Sequence, residues 1–176
     1  ILEEVHPVVP SHVSIHLFGL ARLNVVRKMA DLGVSSVDSA SPLRQAWFGA
    51  KDNYWTASGT HYRAIRIPEV NRSFRAKRMV SEGRVTKTKV ERIEKRCLKA
   101  LRAYDSGKED VETVLDAIAD YDHLITPDRP PFLDQYRTTL EAKPWKSCPC
   151  NICKTWGVEV IIFRGNNRNR RRGFHN

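Results

Sequence analysis

The chain has 176 residues, 41% of them hydrophobic, which is enough for one domain with a substantial core. No uninterrupted apolar stretch reaches about 18 residues, and the N-terminus lacks the basic start and apolar run of a signal peptide, so neither a membrane span nor secretion is expected. Lys and Arg number 30 against 20 acidic residues, and this net charge of +10 favours a polyanionic partner, nucleic acid first.

The first predicted elements form a strand–helix–strand unit. Residues 12–17 alternate between apolar and polar side chains and include β-branched ones, which predicts a strand. Residues 21–32 carry one broad apolar helical face, and Gly33 ends it. Residues 34–37 predict a second strand that runs into Asp38. Such short connections imply parallel strands and an α/β fold.

The middle of the chain predicts first a small β region and then helices. Residues 53–60 indicate an aromatic hairpin or loop, and residues 63–67 an edge strand. Thr86 is the expected N-cap of a long helix that ends at Gly107. The apolar positions of that helix lie three and four residues apart, at Val90, Ile93, Cys97, Leu101 and Tyr104. A second helix has its apolar face at Val111, Val114, Leu115, Ile118 and Tyr121.

The remaining elements complete the predicted domain organisation. Residues 132–140 predict a shorter helix, whereas residues 158–163 are compatible with either strand or helix. We interpret residues 1–69 as α/β material, residues 70–143 as a helical insertion and residues 144–176 as a cysteine-bearing subdomain. Between Arg63 and Arg102 there are 14 basic and four acidic residues, and from Arg164 to the end five arginines and no acid. These concentrated segments favour nucleic acid, although a basic protein without such a partner is the alternative.

Three of the four cysteines predict a metal site. Cys148, Cys150 and Cys153 form a C-x-C-x-x-C pattern, and cysteines this close do not pair with one another without strain. Without a secretion signal, a cytoplasmic metal site is the better interpretation than disulfides. Three thiolates occupy three corners of a tetrahedral Zn²⁺ shell, so we expect a structural zinc. His175 is the expected fourth ligand; Cys97 is the rival, although its helical position predicts a buried thiol.

Several segments resemble the tRNA-guanine transglycosylase family. C-P-C-N-I-C followed later by H-N is similar to the family's zinc motif. H-L-F-G-L, a helix and V-D-S-A-S-P-L-R resemble the last two strands of its (β/α)8 TIM barrel, and G-A-K-D-N-Y-W-T-A-S-G-T resembles a segment of the archaeal branch. The 109 residues between Asp38 and Cys148 exceed the usual link. Together with the arginine-rich end, these features look most like the relatives that insert a 7-deazaguanine base into DNA.

The resemblance implies a fold and an activity. It implies the C-terminal part of a TIM barrel with a helical insertion and a zinc-binding subdomain. Asp38 would be the nucleophile of a pentosyltransferase that exchanges guanine for a 7-deazaguanine base through a covalent intermediate. Because the first residue is Ile1 and the earlier barrel strands are not found, we expect a fragment that is inactive alone.

The resemblance also implies binding residues. Phe18 and Gly19 would lie against the base, and Arg44 would contact the nucleic acid backbone. Zinc would hold the arginines near the end on one surface suited to phosphates. Those arginines are Arg168, Arg170, Arg171 and Arg172. From the residues alone, Asp38 is a cap, Phe18 a core side chain and Arg44 a solvated charge.

Two other functions fit the same sequence. One is a tRNA-guanine transglycosylase proper, with tRNA in place of DNA. The other is a non-catalytic, zinc-stapled nucleic-acid-binding module. The sequence does not decide which deazaguanine is used or whether the protein forms a homodimer.

Overall fold

The chain is described by a computed structural model that places residues 1–20, 25–39, 53–56, 58–127 and 132–165. The fold is of mixed α/β type and divides into two compact units, Ile1–Gly49 and Ala50–Asn176. Among the described residues, no helix combines the length and the apolar character needed to cross a bilayer.

The first unit contains the predicted strand–helix–strand arrangement. Helix α1 (Leu2–Val5) and a 3-10 turn (His6–Val8) precede β1 (Ile15–Leu17), α2 (Val26–Asp31) and β2 (Val34–Val37). Strands β1 and β2 pair in parallel, with Leu17 opposite Val37. The connection between parallel strands therefore contains a helix, as the pattern of the sequence predicted.

The start of β1 differs from the expected one, whereas the glycine expected to end the first helix does follow it. The first strand was expected from residue 12 but starts at Ile15, because the Val13 N–H donates to the Pro10 carbonyl at 2.9 Å and closes a turn there. Residues 21–24 of the expected helix lie outside the described part. The helix ends at Asp31, and Gly33 follows within two residues. Its φ of +78° and the 2.9 Å from a built Cβ to His6 Nδ1 would both strain a larger side chain at this position.

Little of the first unit is shielded from water. Within its described residues, Met29 is the one buried side chain. Val8 is 77% exposed and Phe18 82% exposed. The expectation that Phe18 would be a core phenylalanine is therefore wrong: the strand has ended before it, and its ring faces solvent.

The second unit begins with two small sheets. Strands β3 (Tyr54–Trp55) and β4 (His61–Tyr62) pair antiparallel and confirm the predicted hairpin. Strand β5 (Ile65–Arg66) pairs in parallel with β6 (Ile162–Phe163). The ambiguous segment 158–163 is divided, since Gly157–Ile161 forms a 3-10 helix and only the last two residues form a strand.

Helices build the rest of the second unit. A 3-10 turn (Val70–Arg72) leads into the α-helices, which are α3 (Phe74–Ser81), α4 (Lys87–Asp105), α5 (Val111–Ile125), α6 (Leu133–Ala142), α7 (Pro144–Ser147) and α8 (Asn151–Trp156). Thr86 caps α4 as predicted, because its side chain accepts a hydrogen bond from the Lys89 N–H at 3.2 Å. Asp110 caps α5 in the same way through the Thr113 N–H.

One core joins the helices to the small sheet and to the cysteine segment. The predicted apolar faces of α4 and α5 are buried in it, for example Leu101 and Ile118, both at 0% exposure. Ile65 on β5 and Ile161 before β6 lie in the same core. The core thus draws residues from the three predicted segments 1–69, 70–143 and 144–176; their boundaries stay a prediction.

Candidate metal centre and strand-end carboxylate

Asp38 directly follows β2 and lies beside the end of β1. Its backbone N–H donates to the Leu17 carbonyl at 3.2 Å, which continues the parallel pairing by one residue. Its Oδ1 accepts a hydrogen bond from the Gly19 N–H at 2.7 Å. The side chain is exposed. The two predicted site positions Gly19 and Asp38 are therefore brought together at the carboxyl ends of the strands.

The backbone of Gly19 makes this contact available. Its φ of +69° lies in the left-handed region that favours glycine, and this turn aims the N–H at the carboxylate. Among the described residues, no donor lies within hydrogen-bonding distance of the second carboxylate oxygen. One oxygen of Asp38 is thus oriented by the fold, and the other accepts no hydrogen bond from the described residues.

An aromatic pair flanks the end of β1. The rings of His16 and Phe18 meet edge to face with centroids 4.4 Å apart, and His16 Nδ1 lies 2.8 Å from Ser36 Oγ on β2. His16 was not among the expected site residues, although the alternation along β1 places it on the face opposite Ile15 and Leu17. Arg44, expected beside Asp38, lies outside the described residues.

The three clustered cysteines converge. Their Sγ atoms all lie within 4.8 Å of one another. Cys150 is the N-cap of α8, and its Sγ accepts from the Cys153 N–H at 3.4 Å. A C-x-x-C segment that enters a short helix therefore folds both thiols toward Cys148. This donor set suits a metal ion that prefers thiolate ligands.

The environment of each thiol differs. The hydrogen bond from the Cys153 N–H, together with the neighbouring thiols, lowers the pKa of Cys150 to about 7. Burial raises the pKa of Cys153 to about 12. The Tyr54 hydroxyl on the hairpin lies 3.5 Å from Cys153 Sγ, a contact that the sequence did not reveal, and burial raises the pKa of Tyr54.

Cys97 lies apart from this cluster. It is 0% exposed, and its thiol donates to the Ala117 carbonyl at 2.8 Å between α4 and α5. Burial raises its pKa to about 12. Among the described residues, the group that could hold a metal ion consists of the other three cysteines. The prediction of a buried thiol is confirmed. His175, the expected fourth ligand, and the arginines Arg168, Arg170, Arg171 and Arg172 lie outside the described residues.

Asp105, at the end of α4, holds the segment around the cysteines. Its Oδ1 accepts from the Trp145 Nε1–H at 2.8 Å, and its Oδ2 accepts from the Val158 N–H at 3.3 Å. Lys146 Nζ lies 3.2 Å from Oδ1. Burial alone would raise the pKa of Asp105, but these hydrogen bonds outweigh it and leave the pKa lowered. One carboxylate thus fixes both ends of the cysteine turn to the long helix.

No protein-family model matches the chain. A curated protein of Salmonella montevideo, the "DNA-guanine transglycosylase", is 38% identical to it over 177 residues. The alignment covers 99% of this chain but 42% of that relative, so the chain spans less than half of the relative's length. The matching portion is the C-terminal part of the relative. The resemblance to the DNA-modifying branch of the transglycosylase family is thereby confirmed, and this chain is a homologue of the C-terminal part of a DNA-guanine transglycosylase.

Proposed function

We propose that this chain is the nucleophile-bearing, C-terminal part of an enzyme that exchanges guanine in DNA for a 7-deazaguanine base. The single observation that carries the proposal is the 38% identity to a DNA-guanine transglycosylase over 99% of the chain. The geometry at Asp38 agrees with it, because the carboxylate stands at the carboxyl end of a parallel strand. In TIM barrels that end carries the catalytic residues. The parallel pair β1–β2 would be the last two strands of such a barrel.

Asp38 would act as a nucleophile on the sugar. Its second carboxylate oxygen attacks C1′ while the bond between C1′ and N9 of guanine breaks, and the electron pair of that bond leaves with the base. The Gly19 N–H, bound to the other oxygen, holds the carboxylate in orientation. A proton must reach the departing guanine from an acid/base group that we do not place among the described residues.

The second step restores the enzyme. The deprotonated ring nitrogen of the incoming deazaguanine attacks C1′, and the ester bond to Asp38 breaks, so the carboxylate is regenerated. Two inversions at C1′ leave the product with the original configuration. The target base must leave the stack to be reached, and Phe18, with a ring 82% exposed beside Gly19, would contact it. Arg44 would contact the backbone.

The cysteines would serve structure rather than chemistry. Zn²⁺ held by Cys148, Cys150, Cys153 and His175 would have a full shell of four protein ligands. It would anchor the arginine-rich end, which would place Arg168, Arg170, Arg171 and Arg172 on one surface for phosphates. The convergence of the three described thiols supports this arrangement.

Substitution of Asp38 tests the proposal. In the complete protein that contains this chain, Asp38→Asn should lower guanine exchange in DNA by roughly a thousandfold or more, because the nucleophile is lost. It should also abolish the protein–DNA adduct that survives denaturation. The matched control is Asp31→Asn, an exposed carboxylate of the same unit, which should keep both.

The outcomes separate the alternatives. Exchange in tRNA but not in DNA would assign the tRNA activity instead. Nucleic acid binding without exchange in either polymer, unaffected by Asp38→Asn, would identify a non-catalytic module and overturn the proposal.

A further inference from the structure

The long helix α4 has a cationic face directly opposite its buried face. Val90, Cys97 and Leu101 are buried, whereas Lys95 and Lys99 are exposed. The exposed cations of this face recur at spacings of three and four residues, which aligns them along one side of the helix. They are Arg92, Lys95, Lys99 and Arg102.

Ion pairing distinguishes this face from the rest of the second unit. Arg78, Lys87, Arg96, Arg137 and Arg164 each contact a carboxylate. Within the described part of this unit, seven cations are held by neither a carboxylate nor an aromatic ring. They are Lys77, Lys89, Arg92, Lys95, Lys99, Lys108 and Lys154. Five of the seven, Lys89, Arg92, Lys95, Lys99 and Lys108, lie on α4 or directly after it, whereas Lys77 lies on α3 and Lys154 on α8.

Three of the unpaired cations, together with Arg102, border a shallow groove. Lys95, Lys99, Arg102 and Lys108 line it together with Leu98 and Ser106, and its volume is about 560 Å³. No acidic side chain is among its lining residues. Arg102 is held in place by Glu159 at 2.6 Å, while the three lysines keep their charge uncompensated. The other lining residues are apolar or carry a hydroxyl group. The attraction of the groove for an anion therefore comes mainly from the charges of its lysines.

We propose that this groove binds the phosphate backbone of the DNA substrate, at a surface additional to Asp38 and to the arginine-rich end. The inference rests on the proposed function, which supplies DNA as the polymer. From Lys95 to Arg102 the helix rises about 10 Å, which equals roughly three phosphate steps of one DNA strand when these are measured along the duplex axis. Flexible lysines suit contacts to phosphate that carry no sequence information.

The test compares two triple variants of the complete protein with equal loss of charge. Lys95→Gln, Lys99→Gln and Lys108→Gln remove the lysines that line the groove. Lys77→Gln, Lys89→Gln and Lys154→Gln remove unpaired lysines that do not line it. Binding of a fluorescent duplex DNA is measured against NaCl concentration. Each phosphate contact contributes about 0.9 to the slope of log affinity against log salt, so the groove variant should lose about 2.7 of that slope and the control variant less than about 1.

Exchange rates separate this inference from the proposed function. The groove variant should keep its maximal rate at saturating DNA and raise the DNA concentration needed for half of it, whereas Asp38→Asn should lose exchange and keep DNA affinity. Equal slopes for the two triple variants, or a slope change with tRNA alone, would overturn the groove. A protein without exchange activity whose groove variant still loses slope would overturn the proposed function and leave the groove supported. Thermal unfolding of each variant is the control that the substitutions leave the protein folded.

Discussion

Asp122 on α5 is a carboxyl group that the fold partly withdraws from water. Burial raises its pKa to about 6, and the attraction of Arg63 only partly opposes this shift. A raised pKa means that the folded state binds the proton more tightly than the unfolded state does. The ionised form therefore costs stability, and the free energy of unfolding should fall as the pH rises from about 4 to about 6.

Asp122→Asn should remove this dependence. The amide is neutral at every pH, so the variant should be more stable than the parent at pH 7 by about 1 kcal/mol, a figure reduced for the remaining solvent exposure. At pH 4 the difference should shrink toward zero. Urea unfolding at both pH values measures it, with Asp116→Asn, an exposed carboxylate on the same helix, as control. A difference that does not change with pH would contradict the assignment.

Some features of the site around Asp38 were predicted from the sequence, and others were not. The sequence predicted Asp38 at a strand end, and its distance to Gly19 follows from the parallel register. It did not predict the exposure of Phe18 or its contact with His16. Both depend on the path of the chain directly after Leu17, where β1 ends and Gly19 adopts a φ of +69°.

At the scale of elements, an ion pair connects α4 to the end of β6. Arg164 is 3% exposed, bonds a carboxylate oxygen of Glu94 and donates to the Ile67 carbonyl at 2.7 Å. The other oxygen of Glu94 accepts from the Val70 N–H at 3.0 Å. One pair of side chains thus joins the long helix to the segment after β5 and to the strand that leads into the arginine-rich end.

Glu94→Gln should destabilise the protein strongly. It leaves the Arg164 charge buried without its nearest counter-charge, which costs about 3 kcal/mol, although Glu69 at 4.0 Å offers partial compensation. Glu91→Gln, which removes the exposed partner of Lys87 on the same helix, should cost less than about 0.5 kcal/mol. Chemical denaturation of both variants measures the two losses in the free energy of unfolding. Equal losses would contradict a larger contribution from the buried pair than from the exposed one.

The helices themselves followed from local patterns. Apolar spacing and the capping residue Thr86 were sufficient to locate α4. The same reasoning located the start of α5 and placed α6 to within two residues, whereas α5 continues four residues beyond Tyr121, the last apolar position named for it. Segment 158–163 resisted prediction because a run of β-branched residues fits both a strand and a tight helical turn. Its pairing with β5, almost 100 residues earlier, determined where the strand begins.

At the scale of the whole molecule, the cysteine cluster should bind one zinc ion. We expect about one Zn²⁺ per purified chain, lost in Cys150→Ser and kept in Cys97→Ser, because the Cys97 thiol lies between two helices and bonds a carbonyl. Elemental analysis measures the content. Loss of zinc in Cys97→Ser would contradict the ligand set, and zinc kept in His175→Ala would exclude that residue as the fourth ligand.

Metal removal should also weaken the second unit. Cys153 belongs to the core that contains the helices, so release of the metal frees a turn packed against that core. A chelator should therefore lower the temperature of thermal unfolding, and added Zn²⁺ should restore it.

The sequence by itself determined the main helices, the cap Thr86, the parallel strand unit, the spacing of the thiols and the family to which they point. Each of these depends on neighbours within a few residues or on a motif, and chain order contains that information. Tertiary structure alone decided which cations are neutralised by a carboxylate and which carboxyl groups are withdrawn from water. Arg164 finds Glu94 across 70 positions, and Asp105 finds Val158 across 53. Electrostatic energy depends on distance in space and on solvent exposure, and neither follows from separation along the chain.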